Sequence, residues 1–224
     1  ISYIDRSTGE VIKCQVFVGC LPYSDYSFAI AVRSQTIEDF LYALSQCLQD
    51  LGGVPKLLVP DNLKSAVNKA TRYDPEINRA LEDFANHYGC VVFPARVKAP
   101  QDKSGAENLV KLVYQRIYAR LRKEQFFDLP SLNEAIKAKN RDHNQTRMQQ
   151  CPYTREEKFL AEERSLLAPL PAAPFELKYY RELTVAKNNH IYLAQDKHYY
   201  SVPYMQIGKK AKVFYTRSMV HIYV

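Results

Sequence analysis

The sequence predicts a mixed α/β domain, with helices on the faces of a central sheet, followed by a small all-β module. Strand-like and helix-like segments alternate over the first half of the chain, a pattern typical of α/β folds. A proline-rich stretch follows, and beyond it the apolar residues recur with the period of two that is typical of strands. We therefore expect four parts, which are a core over residues 1–125, a helical extension over 126–164, a linker over 165–176 and a barrel-like β module over 177–224.

The core is expected to open with an antiparallel hairpin. Branched and aromatic residues over 10–18 and 26–32 predict its two strands, and residues 22–25 have the composition of a turn. A second turn is predicted over residues 5–9. Residues 1–4 are therefore expected to form the end of another strand.

Capping residues predict where three of the helices begin. Thr36 is a suitable N-cap for the first helix, with Asp39 at the third helical position, and Gly52 stops the apolar pattern that follows. Residues 131–134 and 154–157 both match the capping-box pattern of Ser or Thr followed three residues later by Glu. Each is expected to open a shorter helix.

The remaining core elements are predicted from apolar runs. Short continuous runs at residues 56–61 and 90–93 are expected to be strands buried on both faces of the sheet. Between them a helix is predicted over residues 74–89, with Ile77 in its apolar stripe. A long helix is predicted over residues 103–123.

The composition is that of an ordinary globular protein with a basic excess. Of 224 residues, 46% are hydrophobic and 25% are charged, and the net charge of +7 is compatible with a nucleic-acid partner. No apolar run is long enough to span a bilayer, so no membrane association is expected. Five cysteines without CxxC spacing predict reduced thiols in a cytoplasmic protein and no structural zinc site. The absence of an initiating Met suggests an excised fragment.

Two carboxylates stand where a metal site is expected. Asp61 follows a predicted buried strand, at the edge where α/β sheets place their ligands, and Glu107 lies one turn into the long helix. Each alone has an ordinary explanation, since Asp often caps a turn and Glu is favoured in a first helical turn. Together, with 45 residues between them, they can converge on one site. Hard oxygen ligands suit Mg²⁺ or Mn²⁺, including a two-metal arrangement.

Basic residues cluster near these carboxylates and in the β module. Such clusters either contact a DNA backbone or form a solvated face, and the sequence leaves both interpretations open. The candidates for contact with DNA are Lys64, Lys103, Lys111, Arg116, Lys209 and Lys210.

Several segments resemble the IstA-type transposases of bacterial insertion sequences. The most specific are the Val-Pro-Asp-Asn run at 59–62 and the Asp-Lys-Ser-Gly-Ala-Glu run at 102–107, and residues 198–203 resemble the β module of those proteins. The resemblance implies a ribonuclease-H-like fold of the retroviral-integrase superfamily, in which an Asp-Asp-Glu triad binds two metal ions, cuts the 3′ ends of the element and joins them to target DNA. Asp61 matches the second Asp of this triad, and Glu107 matches the Glu.

The first Asp of the triad is expected in a segment before Ile1, because Asp5 has the context of a hairpin tip. The resemblance also implies a bacterial cytoplasmic protein that forms homo-oligomers on paired element ends and works with an AAA+ ATPase helper. Two alternatives remain open from the residues alone. One is a DNA-binding or assembly module without chemistry of its own, and the other is a ribonuclease-H-like nuclease that cuts without strand transfer.

Overall fold

The computed structural model describes residues 1–60, 67–69, 76–77, 79–93, 111–216 and 219–224. They divide into two compact units, Ile1–Phe175 and Glu176–Val224. The strands of the first unit are β1 (Ser2–Ile4), β2 (Val11–Lys13), β3 (Gln15–Cys20), β4 (Ser27–Val32), β5 (Leu57–Leu58), β6 (Val67–Lys69), β7 (Glu76–Ile77) and β8 (Val91–Val92). Its α-helices are α1 (Ile37–Leu51), α2 (Arg79–Tyr88), α3 (Ala119–Leu121), α4 (Leu129–Asn144) and α5 (Arg155–Lys158).

The expected hairpin at the start of the core is confirmed as the antiparallel pair of β3 and β4. A shorter hairpin, β1 with β2, precedes it, and its turn is closed by Asp5. The Asp5 carboxylate accepts hydrogen bonds from the Ser7 hydroxyl at 2.5 Å and from the Ser7 and Thr8 amides at 2.8 and 3.3 Å, which together lower the pKa of this carboxyl. Asp5 therefore caps a hairpin tip, as its sequence context predicts.

Helix α1 begins and ends where its capping residues predict. The Thr36 hydroxyl accepts a hydrogen bond from the Asp39 amide, and Gly52 adopts the left-handed conformation, with φ of +68°, that ends a helix. The Asp39 carboxylate accepts from the Ser34 amide at 2.8 Å, so the polar groups before the helix are also satisfied. The capping box of Thr154 and Glu157 is likewise confirmed at the start of α5.

The capping box predicted at Ser131 is wrong, because α4 begins earlier at Leu129. Its N-cap is Asp128, whose carboxylate accepts from the Ser131 amide at 2.7 Å. Pro130 stands in the first turn, where its missing N–H costs nothing. Because Asp128 is the N-cap, Ser131 is an interior residue of the first turn.

Strands β5 and β8 are shorter and more exposed than their apolar runs predict. Leu57 is 48% exposed and Val91 is 61% exposed, so neither strand is buried on both faces. Helix α2 also starts later than expected, at Arg79, and Ile77 belongs to β7. The two strands form a two-residue parallel pair, and a pair this short covers only part of its own side chains.

Packing against helices buries β4 completely along its length. One apolar cluster joins Ala29 and Ala31 of β4 to Ile117 and to Ile136 of α4. A second cluster joins the other face of β4 to α1 and to Phe159. The hairpin is therefore sandwiched between two helical layers, as expected for a mixed α/β core.

Asparagine side chains of α4 satisfy backbone groups of β4 that do not pair with β3. The Asn133 amide accepts from the Ala31 N–H at 2.8 Å and donates to its carbonyl at 3.1 Å. Asn144 does the same for Ser27, at 3.1 and 2.8 Å, and Asn140 also donates to the Ser27 carbonyl at 2.7 Å. These amides occupy the hydrogen-bonding places of a neighbouring strand, so the helix covers the edge of β4.

A helical run over residues 111–121 precedes α4. Val113, Ile117 and Leu121 are buried, as the predicted stripe requires, and Tyr114–Tyr118 form a π-helical turn within the run. Residues 94–110, where this helix is expected to begin, lie outside the described residues. Among described residues, no helix is long and apolar enough to cross a membrane.

The second unit is all-β. Its strands are β9 (Tyr179–Thr184), β10 (His190–Leu193), β11 (His198–Ser201), β12 (Lys210–Tyr215) and β13 (Val220–Tyr223). They form an antiparallel sheet in the order β13-β12-β9 and an antiparallel hairpin of β10 with β11 around one apolar cluster. The β content is as expected, but strand pairing closes no barrel among the described residues of this unit.

Candidate functional site

The two predicted metal ligands, Asp61 and Glu107, lie outside the described residues, as do Lys64 and Lys103. The elements next to them are described. The parallel pairing of β5 with β8 is set by backbone hydrogen bonds, with the Phe93 amide donating to the Leu58 carbonyl at 2.8 Å. Because parallel strands have their carboxyl ends at one edge, the chain leaves both strands on the same side of the sheet.

The chain segments that lead to the two predicted carboxylates both begin at this edge of the sheet. Asp61 is the third residue after β5, and the segment that contains Glu107 follows β8. No group of three or more acidic, His or Cys side chains suited to a metal occurs among the described residues.

The helical run over residues 111–121 presents a polar face next to its buried stripe. Lys111 is exposed, and Tyr114, three residues later on the same face, is 63% exposed. Tyr114 stacks on Tyr118 with 5.4 Å between ring centroids. Burial is the main reason why the pKa of Tyr118 is raised to about 12, so its hydroxyl stays protonated at neutral pH. The helix thus combines a cation and an exposed aromatic ring on one surface.

Arg116 is only half exposed, and it belongs to a group of cations that the sequence does not reveal. The group also contains Arg120 of the same helix, Arg155 of α5 and His143 of α4. The Arg155 guanidinium is buried and donates to the carbonyls of His143 and Thr146, both at 3.5 Å. These residues come from three helices, so no spacing along the chain marks them in advance.

His143 is 3% exposed, and neither ring nitrogen is hydrogen-bonded within the described part of the chain. Burial, together with the charges of Arg155, Arg116 and Arg120, lowers its pKa from 6.5 to about 4. The imidazole is therefore neutral at physiological pH. A neutral ring among three guanidinium groups limits the positive charge that the three helices must accommodate.

The lowered pKa of His143 predicts a specific loss of stability in mild acid. Between pH 6.5 and about 4 the unfolded chain binds a proton at this position and the folded chain does not, so the free energy of unfolding falls as the pH falls. At pH 5 this loss is about 2 kcal/mol. We expect urea unfolding of His143→Leu at pH 7.5 and pH 5 to show a smaller decrease than the original chain, by about that amount.

His198→Leu is the matched control, because His198 is exposed in β11. Its substitution is expected to leave the difference between pH 7.5 and pH 5 unchanged. The same pH dependence in the His143→Leu variant and in the original chain would contradict the lowered pKa.

The candidate cations of the second unit are exposed, and one of them already has an acidic partner. Lys210 forms an ion pair with Glu182 across β12 and β9 at 2.7 Å, which raises the pKa of Lys210 and lowers that of Glu182. Lys209 is exposed in the turn before β12. A phosphate that contacts Lys210 therefore competes with a surface carboxylate.

A small polar cavity of about 160 Å³ was not predicted from the sequence. It lies between β4, the end of α1 and α4, where the Tyr26 hydroxyl donates to Asp50 at 3.2 Å. Burial raises the pKa of both side chains, and Lys137 and Arg141 partly offset this effect at Asp50. The Tyr26 hydroxyl and the Asp50 carboxylate thus satisfy each other, which is typical of a structural polar cluster.

Comparison with known proteins identifies relatives along the whole chain. The y4uI protein of Sinorhizobium fredii, named as a transposase, is 38% identical over 225 residues, covering 100% of this chain and 43% of that protein. The IS408 protein of Burkholderia multivorans, named as an insertion-sequence transposase, is 36% identical, covering 96% of this chain and 41% of that protein. The chain thus spans less than half the length of these relatives, and no family model matches it.

The fold has a counterpart among solved structures. The catalytic core domain of bovine immunodeficiency virus (BIV) integrase aligns with a TM-score of 0.53 at 15% identity, covering 74% of this chain and 94% of that domain. Identity this low indicates a shared fold and nothing further. The chain is therefore homologous along its whole length to one region of insertion-sequence transposases, and it has the ribonuclease-H-like fold of a retroviral integrase catalytic core.

Proposed function

We propose that this chain is the catalytic core of a DNA transposase, which cuts the ends of a mobile element and joins them to target DNA. The observation that supports this best is the similarity of the entire chain to proteins named as transposases. The fold of an integrase catalytic core is consistent with this proposal. Fold alone does not define a function, so the site residues need their own test.

We infer that Asp61 and Glu107 hold divalent metal, Mg²⁺ or Mn²⁺. Their carboxylate oxygens are the hard ligands that these cations prefer, and both chain segments leave the same edge of the β5–β8 pair. When bound, two such ions activate the attacking oxygen and stabilise the leaving oxygen in an in-line displacement at phosphorus. The attacking oxygen belongs first to water and then to the 3′-hydroxyl of the cut element end.

The triad needs a third carboxylate, which the resemblance places before Ile1. Within the described residues β3 pairs with β4 alone and β5 with β8 alone, so the two pairs are not joined by strand hydrogen bonds. A strand that carried the third carboxylate and paired with both β3 and β5 would join them into one sheet. It would also place its carboxylate beside Asp61.

Basic residues would hold the DNA backbone near this site. Exposed Lys111 and half-exposed Arg116 follow the expected position of Glu107 on one helix, and Lys64 and Lys103 flank the two carboxylates in sequence. Phosphate contacts of this kind position DNA without selecting a sequence. The proposal includes homo-oligomers on paired ends and an AAA+ ATPase helper, both as implications of the resemblance.

A DNA-joining assay tests the proposal. Residues 1–224 and a chain extended at its amino terminus are each incubated with labelled element-end DNA and Mg²⁺, with EDTA as the control. We expect joined products from the extended chain and little chemistry from residues 1–224, because two carboxylates hold a metal pair poorly.

The remaining outcomes of this assay identify the alternatives. Cutting without joining would indicate a nuclease, and DNA binding without any chemistry would indicate a non-catalytic assembly module. Strand transfer by residues 1–224 alone would show that the third carboxylate lies within this chain.

A further inference from the structure

Three exposed aromatic rings lie together on the solvent side of the β13-β12-β9 sheet. Tyr180 is directly opposite Phe214, with ring centroids 5.1 Å apart, and Phe214 contacts Tyr223 at 5.8 Å. The side chains are 48%, 39% and 58% exposed, respectively. The alternate residues of the same strands, such as Val213, form the apolar cluster of this unit. The three rings, here called the aromatic face, are therefore not needed to fill the core.

Two cations and one carboxylate lie on the same side of the sheet as the aromatic face. Lys210 and Lys212 are four and two residues before Phe214 in β12 and so share its side, as does Glu182, which is opposite Lys212 and forms the ion pair with Lys210. Residues 176–224 contain eight Lys and Arg against three Asp and Glu, a net charge of +5 out of +7 for the whole chain. Only 49 residues thus account for most of the basic excess, which suits a polyanionic partner.

A cleft in the same unit also combines exposed aromatic rings with a cation. Its volume is about 550 Å³, and it contains the cross-strand pair Tyr192 and Tyr199 together with Lys187 and Thr184. The two tyrosine rings are 4.7 Å apart and about half exposed. Thr184 lies on the same side of β9 as Tyr180, four residues away, which is about 13 Å along a strand.

We propose that this unit binds an unpaired DNA strand, whose bases stack on the aromatic face and in the Tyr192–Tyr199 cleft while Lys187 and Lys212 contact its phosphates. Exposed rings beside cations are suited to this ligand, because an unpaired base offers its π-face to an aromatic ring. In a duplex the bases are stacked on one another, and a protein meets only groove edges and phosphates. The inference rests on the proposed function for the choice of DNA as the substrate.

Binding to oligothymidylate tests this inference. The full chain is titrated, in EDTA, against labelled oligothymidylate of about 15 nucleotides and against a duplex of equal length, and fluorescence anisotropy is measured. Each base-stacking ring is expected to contribute at least about fivefold in affinity. We therefore expect Phe214→Leu and Tyr223→Leu each to weaken oligothymidylate binding by that factor or more, and to change duplex binding by less than about twofold.

Matched variants separate stacking from a general effect on the fold. Tyr204→Leu removes a tyrosine that is 75% exposed in the turn before β12, outside the aromatic face, and should leave binding unchanged. Phe214→Tyr retains a ring and should restore the affinity that Phe214→Leu loses. Circular dichroism melting of each variant checks folding, and Tyr223→Leu, at a more exposed position, remains informative if Phe214→Leu unfolds.

Three results would overturn the inference. They are the absence of oligothymidylate binding, an equal loss of both DNA forms in the leucine variants, and unchanged oligothymidylate binding in those variants. If the original chain and both leucine variants bound oligothymidylate equally well, a protein partner for the aromatic face would be favoured. Because the titrations contain no metal, oligothymidylate binding together with failure of the amino-terminally extended chain in the joining assay would contradict only the proposed function.

Discussion

Substitution of Asp61 by Asn, or of Glu107 by Gln, is expected to abolish DNA cutting and joining by the chain extended at its amino terminus. Each change keeps the size of the side chain but removes the negative charge that a divalent cation requires. Loss of even a hydrogen-bonding partner of a metal ligand commonly costs 10- to 100-fold, so loss of a ligand itself should cost at least about 1,000-fold. That factor corresponds to about 4 kcal/mol of transition-state stabilisation.

Exposed carboxylates of α2 provide matched controls for these two substitutions. Asp83→Asn and Glu82→Gln make the same chemical changes on the surface and should retain activity. The site variants should keep the circular dichroism spectrum and the Mg²⁺-independent DNA binding of the original chain. Retained joining activity in Asp61→Asn or Glu107→Gln would remove that residue from the metal site.

Substitution of Asn144 by Ala is expected to cause a large loss of stability. The Asn144 amide accepts the Ser27 N–H at 3.1 Å, and this buried donor has no replacement when the side chain is shortened. An unsatisfied buried N–H costs about 1–3 kcal/mol, and the loss of the second hydrogen bond to the Ser27 carbonyl adds to it. We expect the free energy of unfolding to fall by about 2–4 kcal/mol, measured by urea unfolding.

Two further substitutions test whether this loss of stability comes from the buried contact with Ser27. Asn140 also donates to the Ser27 carbonyl, so Asn140→Ala combined with Asn144→Ala should cost more than Asn144→Ala alone. Asn86→Ala on the exposed side of α2 is the matched control and should be neutral or slightly stabilising, because Ala favours helix. A loss below about 1 kcal/mol for Asn144→Ala would show that water replaces the amide at the edge of β4.

The local features of the fold were predictable from the sequence wherever neighbouring residues decide them. Thr36 and Gly52 bound α1 because capping depends on groups within one turn of the chain. The β3–β4 hairpin follows from two runs of branched and aromatic residues and the turn between them. Asp128 and Ser131 are both candidate N-caps of α4. Asp128 is the N-cap because its carboxylate accepts a hydrogen bond from the Ser131 amide, a contact that the capping pattern does not predict.

The candidate site also has residues that the sequence predicts and groups that only the structure reveals. Residue type, position next to predicted elements and resemblance predict Asp61 and Glu107 as metal ligands, and both residues lie outside the described part of the chain. The cation group around His143 could not be anticipated, since it joins the 111–121 helix to α4 and α5. The aromatic face could not be anticipated either, because the register of β12 against β9 and β13 decides which aromatic residues share a surface.

The sequence by itself determined the β3–β4 hairpin, the caps of α1 and α5 and the basic excess, and it predicts two carboxylates suited to metal. The tertiary structure alone decided that α4 covers the edge of β4 with asparagine amides, and that Leu57 and Val91 remain exposed despite their apolar runs. The physical reason is the distance along the chain over which each interaction acts. Capping and periodicity act between residues within a few positions of one another, whereas burial and hydrogen bonding across elements depend on which distant segments pack together.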